Sequence, residues 1–243
     1  MTAGRVEAVW EVRRPDLDAV AALREALGLD ELTATLLVNR RLTEPDAVRA
    51  FLAPRLSSLP DPSLMTGVDA AVERILAALD AEESVCIWGD YDVDGVTSAS
   101  QLLAFFEAIG APARGFVPDR FTDGYGLNAD RIAELAESGV QLLITVDCGI
   151  SNAAEVAGAA ALGLDVIVVD HHQCPETLPP AVAVLDPHQP GCAWPEKGLA
   201  ACGVTWVLLV ALRRALRARG AFGDSPEPDL RDRRRLHPAG IVE

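Results

Sequence analysis

The chain has a single lysine, Lys197, so nearly all of its positive charge is carried by arginine, and the acids outnumber the bases: 36 Asp and Glu against 21 Lys and Arg, a net charge of −15. Such a balance argues against a broad basic surface that grips nucleic acid directly, and leaves open a site that binds cations first and phosphates through them. The five cysteines (Cys86, Cys148, Cys174, Cys192, Cys202) are odd in number and lack C-x-x-C spacing. They read as reduced core thiols in a reducing compartment, neither a disulfide framework nor a zinc site. The first residues, MTAGRVEAVWEVRRPD, lack the basic-then-apolar layout of a signal peptide, and no uncharged apolar run approaches the roughly 20 residues of a membrane span. A cytoplasmic protein with no membrane association is expected. No G-x-G-x-x-G follows the first strand-like run, which argues against a dinucleotide-binding dehydrogenase.

What is present is enough apolar sequence for a sizeable core: 50% of 243 residues. Residues 1–66 read as a helical extension punctuated by proline. It contains a helix over Leu17 to Leu27 capped by Asp16, and another over Pro45 to Leu52 with Thr43 or Glu44 near the cap. The stretch APRLSSLPDPSLMTG reads as a loop and a boundary. Over 67–222 the pattern alternates. Apolar strands are expected at Val85–Trp88, Arg114–Val117, Leu142–Val146, Val166–Val169 and Ala183–Leu185. Helices are expected at Asp69–Leu79, Val96–Ile109, Asn128–Glu137, Ser151–Ala161 and Leu199–Leu216. Continuous apolar strands separated by helices predict an α/β domain, a parallel sheet with helices on both faces. Residues 223–243 read as an irregular tail.

The acids fall where such a sheet would use them. VCIWGDYDVDG puts Asp90, Asp92 and Asp94 directly after the first strand, LLITVDCG puts Asp147 after the third, and VIVVDHH puts Asp170, His171 and His172 after the fourth. Any one of these has an ordinary explanation, since an Asp after a strand is often a helix cap. Together they deliver five Asp and two His to the carboxyl edge of one sheet, where open parallel sheets bind ligands. Three carboxylates within five residues repel one another unless a cation intervenes. Carboxylate oxygens with imidazole nitrogens suit Mn²⁺ or a similar first-row ion better than Mg²⁺. So many acids suggest two ions sharing one carboxylate, a pair able to activate water and stabilise an in-line displacement at phosphorus. The run Asp90-x-Asp92-x-Asp94-Gly95 also matches half of an EF-hand calcium loop. That loop, however, wants Glu where Gln101 stands and a helix where VCIW is β-type.

GDYDVDG, TVDCGIS and VVDHH, in that order, resemble the DHH phosphoesterase family, and more closely its branch of RecJ-type single-strand-specific exonucleases. The stretches LLVNRRLTEPDAVRAFLAP, VPDRFTDGYGLN, LDPHQPGC and GLAACGVTW agree with that branch, so the resemblance spans roughly residues 35 to 220. It implies that Asp90, Asp92, Asp94, Asp147 and His171 are ligands of two Mn²⁺ or Mg²⁺ ions, with Asp147 bridging. It implies that His172 faces the scissile phosphate as proton donor or phosphate stabiliser, that Asp170 orients a histidine, and that Arg120 contacts phosphate. The implied reaction is metal-dependent phosphodiester hydrolysis, 5′→3′ on single-stranded DNA in recombination and repair, with a helicase or single-strand-binding protein as candidate partner. Hydrolysis of short oligonucleotides, cyclic dinucleotides or pyrophosphate is the alternative within the family. The family carries a fourth metal-binding Asp after the long helix, followed by further domains. Here RRRLHPAGIVE ends the chain with no Asp after Asp232, so a shortened form is expected. An inactive fragment that binds metal or a protein without turnover is the reading from outside enzymology. The closing RRRLHPAGIVE reads as a frayed tail.

Overall fold

The computed structural model describes residues 14–55, 58–121, 124–223 and 226–230. They form two compact units divided between Leu59 and Pro60; the sequence reading drew the division after residue 66. The smaller unit contains helices α1 (Leu17–Leu27), α2 (Glu31–Asn39) and α3 (Pro45–Leu52). Asp16 caps α1 by accepting from the N–H groups of Asp18 and Ala19, and Gly28, at φ 66°, ends it in the left-handed region. Glu44 occupies the cap position of α3 without a side-chain bond. The sequence reading did not single out α2, which Asp30 caps through the Thr33 N–H. Val20, Leu23, Ala34, Leu37, Val38 and Val48 form this unit's own core.

In the larger unit a short 3-10 turn (Pro62–Leu64) leads into α4 (Val68–Asp80). Alternation then runs β1 (Val85–Gly89), α5 (Val93–Ala108), β2 (Arg114–Phe116), α6 (Ala129–Glu137), β3 (Leu142–Val146), α7 (Ala153–Ala161), β4 (Asp165–Val169), β5 (Ala183–Leu185) and α8 (Ala201–Ala218). All pairings are parallel, in the order β2-β1-β3-β4-β5, so the expected α/β architecture holds. β1 and β3 are buried throughout, the signature of strands covered on both faces. Cys86, Trp88, Leu143, Val166 and Val168 pack on one face against Ile132 and Leu135 of α6 and Val156 and Ala159 of α7. Helix α8 packs against both α4 and α5, and all three pack against the sheet. Arg74 of α4 reaches the sheet through Asp165 (2.6 Å) and also binds Glu83 (2.5 Å). Among the described residues no helix is long and apolar enough to cross a membrane.

One boundary bears on the site. α5 begins at Val93, three residues before the expected start, because Asp92 Oδ1 accepts from the N–H groups of Asp94 (2.8 Å) and Gly95 (3.1 Å). The acidic stretch is therefore a tight strand-to-helix turn. A strand precedes it and Gln101 lies inside α5, which disposes of the calcium-loop alternative.

Candidate metal centre

β1 is flanked by β2 and β3, so the chain's direction of travel across the sheet reverses beside it, and a crevice opens at the carboxyl ends of β1 and β3. The first residue past β1, β3, β4 and β5 is in each case an aspartate: Asp90, Asp147, Asp170 and Asp186. Three of them extend the ladder by one more bond: Asp90 N–H to Val146 O, Asp147 N–H to Val169 O and Asp170 N–H to Leu185 O. The four carboxyl groups thus form a row, and none of these residues is more than 4% exposed. Asp186 was missed by sequence reasoning. The signal was the same as for the others, an apolar strand closing on Asp in AVLDPH, but the strand is only three residues long.

Buried carboxylates need donors, and the backbone supplies most of them. Asp92 caps α5. Asp94 accepts from the first turn of α8, at Oδ2 from Ala201 N–H (2.7 Å) and at Oδ1 from Cys202 N–H (2.8 Å). Asp170 accepts from Ile150 N–H at Oδ2 (3.0 Å) and at Oδ1 from the N–H groups of His171 (2.7 Å) and His172 (3.2 Å). Asp186 Oδ1 accepts from His188 N–H (2.7 Å). Among the described residues three buried carboxylate oxygens remain without a donor: Asp90 Oδ1, Asp147 Oδ1 and Asp186 Oδ2. Two of the three belong to the acids of β1 and β3 that flank the crevice.

These orphans mark where positive charge is missing. Asp90, Asp92 and Asp147 place one oxygen each within 4.8 Å of one another, and Asp147, His171 and His172 do the same with one oxygen and two nitrogens. Asp147 is common to both groups. Its Oδ1 lies 3.2 Å from His171 Nε2, and Asp94 Oδ2 lies 3.6 Å from the same nitrogen. Asp94 therefore borders the second group while serving α8; a carboxylate has about four lone-pair sites and can do both. His172 Nδ1 lies 2.7 Å from Asp170 Oδ1. Because that carboxylate already accepts three backbone N–H groups, its role toward the imidazole is also that of acceptor, so the proton is assigned to Nδ1 and Nε2 is left for other chemistry.

Electrostatics agree with the geometry. Burial, then the charge of Asp94 and the contact with Asp92, push the Asp147 carboxyl up to about 8. Asp90 is raised by burial against the N–H of Tyr91, and Asp186 is raised to about 6 by burial. Asp92 is held low despite burial because the N–H of Gly95, Asp147 and the N–H of Asp94 outweigh it. The backbone is drawn tight around the same atoms. Asp147 has φ 63°, rare for a residue with a side chain. A Cβ at Gly95 would collide with the backbone of Asp90, so only glycine lets α5 start this close to β1.

Arg120 joins neither group. Its guanidinium carbon lies 5.4 Å from the centre of the Tyr91 ring, next to Asp90, and Tyr125 meets Tyr91 edge-on at 6.4 Å. Phe121 beside it is 92% exposed. The closing residues 231–243, including Asp232 and RRRLHPAGIVE, lie outside the described residues.

A family model described as "DHH family, N-terminal domain" matches residues 84–230. The single-stranded-DNA-specific exonuclease RecJ of Bacillus subtilis is 42% identical over 203 residues, covering 84% of this chain and 26% of the relative. That of Dickeya dadantii is 41% identical over 218 residues, covering 88% and 37%. The crystal structure of RecJ in complex with Mn²⁺ from Thermus thermophilus superposes with a TM-score of 0.66 at 30% identity, covering 88% of this chain and 28% of that one. The chain thus spans between 26% and 37% of the length of these two curated relatives.

Proposed function

Because the chain belongs to the DHH family, we propose that it carries the metal-dependent phosphodiesterase site of a single-strand-specific DNA exonuclease working 5′→3′ in recombination and repair. The observation that carries this reading is Asp147 Oδ1: buried, without a donor, and shared by two groups of acid and imidazole ligands. Hard oxygens with imidazole nitrogen fit Mn²⁺, and Mg²⁺ where oxygens dominate. Asp90, Asp92 and Asp147 would hold one ion, and Asp147, His171 and Asp94 the other. When bound, two such ions activate water and neutralise charge on the oxygens of an in-line displacement at phosphorus.

The remaining work falls to the chain's own groups. His172, its Nδ1–H held by Asp170, turns Nε2 toward the phosphate; with a second proton on Nε2 the imidazolium would pair with the phosphate or give that proton to the departing 3′ oxygen, returning to the neutral ring. Arg120, poised over Tyr91, pairs with a backbone phosphate, and the exposed rings beside it suit the bases of a single strand. With net charge −15, the protein approaches its substrate through bound cations and a few arginines rather than through a basic surface. The substrate calls for strands already separated, which a helicase or single-strand-binding protein would supply. Five free cysteines, three of them buried, support a reducing, cytoplasmic setting.

The test is digestion of 5′-tailed and 3′-tailed oligonucleotides with Mn²⁺, beside Asp147→Asn. Mononucleotides from the 5′ tail alone, absent with the variant, are expected. Release from the 3′ tail would overturn the polarity. Product that survives in Asp147→Asn would overturn the site.

A further inference from the structure

The stretch GLAACG opens α8 more than a hundred residues after the acidic turn, yet its backbone meets that turn directly. Ala201 N–H and Cys202 N–H each donate to one oxygen of Asp94, at 2.7 and 2.8 Å. The Asp94 carboxylate in turn lies 3.6 Å from His171 Nε2, which lies 3.2 Å from Asp147 Oδ1. We infer that the first turn of α8 is a positioning element for the second metal half-site: its two amides hold Asp94 in place, and so couple α8 to metal binding. The inference rests on the metal-site reading of Asp94, Asp147 and His171 above.

Three features argue that the contact is more than a cap for α8. It engages both oxygens, which fixes the plane of the carboxylate as well as its distance from His171. α8 runs for 18 residues and its own cap position, Ala200, has no side-chain acceptor, so its N-terminal partial charge is directed at Asp94. Asp94 also belongs to a turn already braced at its other end by the Asp92 cap, leaving its side chain little freedom once the two amides are engaged.

Ala201→Pro tests this, and because Ala201 is fully buried it is paired with a readout on the unmodified protein. Position 201 is the first residue of α8, where proline is well accepted, and Ala200 has φ −71° and ψ 162°, the conformation a residue before proline prefers. The substitution deletes one N–H and sets a ring carbon against Asp94 Oδ2. Ala129→Pro, at the corresponding exposed position of α6, is the control, since Asn128 also has a compatible backbone (φ −119°, ψ 125°). Mn²⁺ binding is counted by the free-ion electron paramagnetic resonance signal. We expect wild type and Ala129→Pro to bind two ions, and Ala201→Pro to keep one and weaken the other at least about tenfold, the loss of one charge-assisted bond.

A folded Ala201→Pro that binds both ions as wild type does would overturn the inference. Wild type that binds no Mn²⁺ would instead overturn the metal-site reading beneath it. Hydrogen exchange on the unmodified protein gives a second readout that no variant can spoil by misfolding. Metal should slow exchange at the amides of 201 and 202 and leave the first turn of α6 unchanged. Unchanged or faster exchange at 201 and 202 would overturn the coupling.

Discussion

Replacing Asp147 by asparagine separates the charge of this carboxylate from its shape. Asparagine tolerates the left-handed backbone at φ 63° about as well as aspartate, so the turn survives. In the metal-free protein, burial and then Asp94 and Asp92 push the Asp147 carboxyl from 3.8 up to about 8. Between those values the folded chain holds a proton that the unfolded chain has lost. Metal-free stability is therefore fully present below about pH 4 and declines as pH rises toward 8. At about 1.4 kcal/mol per unit, the decline is on the order of 3–6 kcal/mol. The amide of the variant carries no charge and escapes it, whereas Asp186 titrates in both proteins and cancels. In urea unfolding with EDTA, wild type and variant should match near pH 4, and the variant should be the more stable by a few kcal/mol at pH 9. At pH 7.5 the order should reverse with Mn²⁺ at a thousand times its Kd, because each of two bound ions then adds about 4.1 kcal/mol, together more than the proton-linked loss. Equal pH slopes in EDTA, or two Mn²⁺ ions on Asp147→Asn, would refute the reasoning.

The same carboxyl should release a proton when metal binds at pH 7, read by calorimetry as a heat that varies with the ionisation enthalpy of the buffer; a buffer-independent heat would speak against it. Gly95→Ala should destabilise by on the order of 3 kcal/mol in thermal unfolding, because the new methyl meets the Asp90 backbone, and should also lower Mn²⁺ affinity at the first half-site. His172→Gln should keep both ions by equilibrium dialysis yet lose about 10²–10⁴ in kcat; loss of an ion would make His172 a ligand. Arg120→Ala should raise KM for single-stranded DNA more than it lowers kcat in steady-state digestion, since the side chain stands apart from both ligand groups.

How much of this was legible beforehand follows from the range of each interaction. Val85–Gly89, Leu142–Val146 and Asp165–Val169 announce themselves by nearly unbroken apolar runs, because a strand covered on both faces has no polar side to show. An acid directly after such a run must lie at the carboxyl edge, so Asp90, Asp147 and Asp170 could be placed together from local pattern alone. The histidines came with them, since His171 and His172 are only one and two residues further on. The early start of α5 was nearly legible too: Asp92 followed two and three residues later by free N–H groups is a cap, masked by the attention the three acids draw as ligands.

Tertiary structure alone decided the division of labour among these acids. The sequence places Asp90, Asp92 and Asp94 side by side as equals. Only folding turns Asp94 toward Ala201 and Cys202, bends Asp147 into the left-handed region, and brings Asp170 to the His172 ring rather than that of His171. Asp186 joins the row because β5, too short to declare itself, pairs with β4. The physical reason is common to all four. Where a carboxylate points depends on which donors surround it, and many of those donors are backbone amides from helices and strands distant in the chain. Pattern within a few residues determines which groups reach the sheet edge; the packing of α8 and β5 against that edge determines which oxygens are satisfied there and which are left for a cation.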